Sequence, residues 1–218
     1  MWTFMFGNAS LNFYPLGQAQ GTVSANKKEI IDERPLTAKP QHYLLLIILA
    51  VCAVTFFVGI GRLALIGPDE PRYAEVSREM FVTGDYISPR LGGCLWFEKP
   101  VLVYWMAAAS YAIFGIGEYA ARFPSALCAS MTALAIFFVV RGTGSTVWAL
   151  SASLALVTTG LFIGFARSIT MDMTLASAMA LALLSGYRAT MSEGRARLAY
   201  WAGCGAAAGL SCLAKGFV

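Results

Sequence analysis

The chain has 218 residues, of which 58% are hydrophobic and only 13% charged, with a mean hydropathy of +0.64. That balance excludes an ordinary soluble domain and makes lipid the main solvent. The net charge of +4 is spread over short segments between apolar runs, so it reads as orientation signal and headgroup attraction, and no nucleic-acid partner is implied.

Residues 1–42 are mixed and polar and show no cleavable-leader pattern. Lys27, Lys28, Arg34 and Lys39 precede the first long apolar run, which marks this stretch as a cytoplasmic tail. Residues 43–218 then form the membrane domain. Apolar runs at 43–66, 123–140, 146–165, 173–187 and 198–213 are free of charge in their middles and predict five crossings. Residues 100–114 are shorter and carry Tyr104, Trp105 and Tyr111, which predicts an interfacial helix and not a span. Arg141, Arg188, Arg195 and Arg197 sit in loops that favour the cytoplasm. With the tail inside and one crossing between residues 66 and 141, the segments around Asp69, Glu98 and Asp172 all fall on the outer face. Arg122, at a helix start, reads as an interfacial anchor, and Asp69 as either a helix cap or a functional carboxylate. Five cysteines and one histidine, His42, show no metal-ligand or CxxC spacing. No polar tail follows the last apolar run, so the chain reads as the N-terminal piece of a longer polytopic protein.

The chemistry concentrates in residues 69–99. Pro71 is placed to start a helix and Gly84 to end it. Tyr73, Val76 and Met80 line one face at helical spacing, and Arg72, Glu75, Arg78 and Glu79 line the other, with Arg72/Glu75 and Glu75/Arg78 spaced to pair. Such charge stripes are usually solvated surface. Asp69 and Glu70, Glu98 and Lys99, and Arg167 to Asp172 instead place carboxylates at a membrane boundary three times, the last two with a cation beside them. Cations there can hold a phosphate while a carboxylate takes a proton from an attacking hydroxyl. A transporter or flippase of lipid-linked sugars is the alternative, but transporters place ionisable groups deeper in the hydrocarbon.

The strings Asp69-Glu70-Pro-Arg-Tyr-Ala-Glu-Val-Ser-Arg-Glu-Met, Gly84-Asp85-Tyr86, Phe97-Glu98-Lys99-Pro100, Arg122-Phe-Pro-Ser-Ala-Leu and Met171-Asp172-Met173 together resemble the N-terminal part of the GT-C membrane glycosyltransferases. The likeness is to those related to protein O-mannosyltransferases, and most of all to the lipid A aminoarabinose transferases. The resemblance implies an all-α polytopic membrane protein, a GT-C-type transmembrane helix bundle with amphipathic juxtamembrane helices in the first outer loop. Its activity would be inverting transfer of a sugar from a polyprenyl-phosphate carrier to a periplasmic acceptor, whether lipid A, another glycan or a protein, at the inner membrane. Asp69 and Asp172 would match the family's catalytic carboxylates. Lys99 would bind the carrier phosphate, and Glu70, Arg72, Tyr73, Glu98 and Arg167 would complete the substrate site. Glu98 would also match a metal-contacting glutamate, so a divalent metal is the one cofactor the resemblance raises.

Overall fold

The computed structural model describes residues 41–216; the polar stretch read as a cytoplasmic tail lies almost wholly outside the described residues. Among these, eight α-helices carry the fold: α1 (Gln41–Cys52), α2 (Asp69–Thr83), α3 (Leu102–Phe114), α4 (Glu118–Arg141), α5 (Thr146–Val157), α6 (Gly160–Ala166), α7 (Met171–Thr190) and α8 (Gly194–Lys215). A two-stranded antiparallel hairpin, β1 (Arg90–Leu91) and β2 (Cys94–Leu95), sits between α2 and α3.

The first apolar run is not one straight helix. After α1 the chain widens into a π-helical turn, Ala53–Phe57, and then leaves helical conformation until Asp69. Hydropathy measures which solvent a segment prefers and not where its backbone bonds go, and here the apolar run continues beyond its helix. The freed carbonyls find side-chain donors. Arg167 donates to Thr55 and Val58, and Arg122 donates to Ile60, Leu63 and Ala64. Irregular backbone in an apolar setting is tolerable only when satisfied in this way. The run at 146–165 is likewise divided, with α5 and α6 bent by 66° across Thr158 and Thr159. Among the described residues α4 alone has the length and hydropathy of a full crossing, and α5 with α6 makes a second if the bent pair is counted as one.

The helices nevertheless have two distinct ends. Arg122 near the start of α4 and Ile169 just before α7 both bond Glu70 at the start of α2. The far ends of α4 and α7 also meet, because a side chain on Gly142 would strike the Arg188 guanidinium. The two helices therefore run parallel. α5 returns along α4, where the Ser153 hydroxyl donates to the Ala133 carbonyl, and α8 returns along α7 to bring Lys215 back to Asp172. Ala126, Ala129 and Ala133 are fully buried on one face of α4, and such small residues let neighbouring helices approach closely. They pack with Ile48, Phe56, Ala149, Val157 and Met173 in one apolar cluster.

A second cluster joins α2 and α3 to the start of α4. Tyr73, Val76 and Met80 are buried as their spacing predicts, and Gly84 closes α2 in the left-handed conformation at φ 74°, where a glycine carries no Cβ penalty. α3 has both ends at the same end of the bundle. Pro100 lies against Gly216, and Phe114 packs on Tyr119 and Phe123 of α4. At 13 residues it is about 20 Å long, too short to cross, in keeping with the expected interfacial helix.

Candidate active site

Everything the sequence placed on its outer face lies at the end of the bundle where α2, α4 and α7 begin. Asp69 is the first residue of α2, but no side-chain cap bond forms there. Its carboxylate is 60% exposed and meets the Arg72 guanidinium at 3.4 Å. Arg72 does not pair with Glu75 as its spacing suggested. It turns instead toward Glu98 at 3.9 Å and lies over the Trp96 ring at 5.4 Å, while Glu75 is taken by Arg78 at 2.7 Å. Lys99 Nζ stands 3.5 Å from Glu98. Asp172, in the first turn of α7, pairs with Lys215 at the last turn of α8.

Tyr73 feels the charge of three of these carboxylates. Burial raises the pKa of its phenol, and the negative charges of Asp69, Glu98 and Asp172 raise it further. The phenol is therefore a stable neutral hydroxyl.

Lys215 is the residue that sequence reading missed. It lines an open cavity of about 470 Å³ together with Glu98, Lys99 and Gly216, so two lysines border one space. Its only sequence signal was a lone lysine closing an apolar run, which by itself reads as an interfacial anchor. Asp172 also stands at the mouth of an apolar groove of about 520 Å³ that passes Phe162, Phe165, Met173 and Met179.

Two sequence expectations need correction. Arg122 is not an interfacial anchor, because only 4% of its side chain is exposed. Glu70 does not present its carboxylate to a ligand. One oxygen accepts from Arg122 Nε and the Ile169 amide, and the other from Arg122 Nη2 and the Ile66 amide. Burial raises its pKa, but these donors more than offset that and hold it below the usual carboxylate value. The pairing was not legible because the partners are 52 residues apart, a separation that local spacing cannot bridge.

The metal raised for Glu98 lacks a matching donor set. Among the described residues no three His, Cys, Asp or Glu side chains converge, and Glu98 is flanked by two cations. No step below passes through a metal.

A family model described as dolichyl-phosphate-mannose-protein mannosyltransferase matches residues 98–218. The chain belongs to this family. The undecaprenyl phosphate-alpha-4-amino-4-deoxy-L-arabinose arabinosyl transferase 2 of Pseudomonas fluorescens is 30% identical over 188 residues, covering 84% of this chain and 32% of that protein. The corresponding transferase of Pectobacterium carotovorum is 33% identical over 180 residues, covering 79% of this chain and 31% of that protein. The fold resembles the crystal structure of ArnT from Cupriavidus metallidurans bound to undecaprenyl phosphate. There the TM-score is 0.75 and the identity 34%, over 80% of this chain and 32% of that one. The chain thus spans about a third of the length of the relatives it matches.

Proposed function

We propose that this chain is part of an inverting membrane glycosyltransferase that moves a sugar from a polyprenyl-phosphate carrier to an acceptor on the periplasmic side of the inner membrane. The observation that carries the reading is that Lys99 and Lys215 border one cavity, each paired with a carboxylate, Glu98 and Asp172 respectively. A polyprenyl phosphate needs cations for its head and an apolar path for its tail. The two ammonium groups supply the first, and the groove leading away from Asp172 supplies the second.

The chemistry follows from charge. As the bond from the anomeric carbon to the carrier oxygen breaks, that oxygen gains negative charge and the sugar gains positive charge. The departing phosphate is a weak base, so cations close to it are more useful than a general acid. Lys99 and Lys215 are placed for this, and Arg72 links Lys99 to Asp69 through Glu98. Asp69 then faces the sugar. It accepts the proton of an attacking hydroxyl, or, when the acceptor is an already ionised phosphate, it stabilises the positive charge on the ring. The activities for which the relatives are named point to an aminoarabinose donor.

The test uses the full-length membrane protein with a lipid-linked sugar. Asp69→Ala is expected to abolish transfer while the protein still inserts and still retains the carrier. Transfer at the normal rate by this variant would overturn the assignment. Lys215→Ala is expected to weaken carrier binding by roughly tenfold, the scale of one lost charge-assisted hydrogen bond.

A further inference from the structure

A further cavity, of about 190 Å³, opens at the arginine-bearing end of the bundle, opposite the carboxylates. Its walls are apolar, with Phe138 and Val139 of α4 on one side and Leu181 and Leu184 of α7 on the other, and Arg188 and Tyr200 complete it toward the helix ends. It shares no residue with the lysine-lined cavity or with the groove beside Asp172.

Arg188 has no acceptor for its charge. Its guanidinium lies over the Tyr200 ring at 5.7 Å and against Gly142 at the end of α4, where a Cβ would strike it. Among the described residues its side chain makes no hydrogen bond and no ion pair, and the same holds for the side chains of Arg141, Arg195 and Arg197. Glu193 is the one carboxylate in the loops at this end, and it is exposed and pairs with none of them. Arg195 and Arg197 are exposed as well, whereas Arg188 is half-buried beside apolar side chains, a setting in which unmatched N–H groups are costly. The planar guanidinium matches a phosphate through two parallel hydrogen bonds. The surface around the cavity suits lipid: Phe138, Leu183 and Leu198 are exposed, and Tyr187 and Trp201 add the aromatic side chains usual at headgroup level.

We propose that this cavity binds an acidic phospholipid, with its phosphate on Arg188 and the start of one acyl chain between α4 and α7. A free anion satisfies the guanidinium but leaves the apolar walls wet. A zwitterionic lipid covers the walls but brings no net negative charge to four arginines. An acidic phospholipid does both, as in other basic pockets between membrane helices. Bound there, it joins α4, α7 and α8 at an end where no ion pair does so among the described residues, much as Glu70 and Arg122 hold the opposite end. The inference stands apart from the transferase reading.

The test is native mass spectrometry of the full-length protein in detergent, with dioleoyl phosphatidylglycerol against dioleoyl phosphatidylethanolamine. The wild-type protein is expected to bind the acidic lipid about tenfold or more tightly, the scale of one charge-assisted hydrogen bond, and Arg188→Gln is expected to remove that preference. Ala135→Phe, which narrows the cavity and keeps every arginine, is expected to weaken binding of the acidic lipid by roughly threefold or more. Lys215→Ala, at the other end of the bundle, is expected to leave it unchanged. Equal binding of the two lipids by wild-type protein would overturn the proposal without recourse to any variant. So would displacement of the acidic lipid by millimolar inorganic phosphate, which would make the site one for a free anion. A preference that survives Arg188→Gln, or one that Lys215→Ala removes, would place the lipid elsewhere.

Discussion

Glu70 and Arg122 meet with no more than 8% of either side chain exposed, and between them they join four parts of the chain: the segment after α1, the start of α2, the start of α4 and the turn before α7. Charges are costly to bury unless paired and fully hydrogen-bonded, and this pair meets both conditions. Removing one partner leaves the other charged in an apolar place, so Arg122→Ala is expected to destabilise the domain by about 3–5 kcal/mol. Thermal unfolding in detergent measures it, and a change under about 1 kcal/mol would show the pair to be peripheral. The pH dependence has a definite sign. The folded pKa of Glu70 lies below its ordinary value of 4.5, so the stabilisation is complete above that value and is lost as pH falls through the folded one. Wild-type protein is therefore expected to lose thermal stability on acidification below 4.5. Glu70→Gln should be less stable at neutral pH and lose less on acidification, as comparison of the two melting curves across pH would reveal.

The elements differ in how far local pattern determines them. α2 was readable because its period, its acidic first turn and its terminal glycine all agree, and consistency between such signals is what makes a segment legible. The spans were less so. Residues 43–66 and 146–165 are uniformly apolar, and a uniformly apolar run carries no period from which to place a π-helical turn or a 66° bend. The hairpin was missed although Gly92 and Gly93, at φ 62° and 79°, form a turn pair between its two short strands. The Glu79 carboxylate accepts both of their amides, at 2.6 and 3.2 Å. Glu79 thus belongs to a clamp that fixes the loop leading to Glu98 and Lys99, and is not simply solvated surface. Glu79→Ala is expected to cost about 1–3 kcal/mol locally, seen as faster hydrogen exchange at the Gly92 and Gly93 amides with little change in global unfolding. Unchanged exchange there would rule out the clamp. The site followed the same division: Asp69, Glu98, Lys99 and Asp172 were legible from their motifs, while the Lys215 and Arg122 pairings needed the helices to be brought together.

Across the whole molecule, charge is sorted by end. Asp69, Glu98, Lys99, Asp172 and Lys215 gather where α2, α4 and α7 begin, whereas Arg141, Arg188, Arg195 and Arg197 lie at or near the opposite end, where α4 and α7 finish and α8 starts. The excess of arginine favours the cytoplasm, and on it rests the proposal that the carboxylate end faces outward and that the reaction is periplasmic. The bent α5 and α6 pair and the returning α8 each bring the chain back to the carboxylate end from the arginine-bearing end. Cys94 gives a direct reading of orientation. It lies in the hairpin at the carboxylate end and is exposed, whereas Cys52 is buried and Cys128, Cys204 and Cys212 are partly covered. A membrane-impermeant maleimide added to intact spheroplasts is expected to label the protein, and Cys94→Ser is expected to remove most of that label. Labelling of Cys94 only after the membrane is inverted would turn the bundle over. The lysine-lined cavity would then face the cytoplasm, and a periplasmic acceptor could no longer reach Asp69.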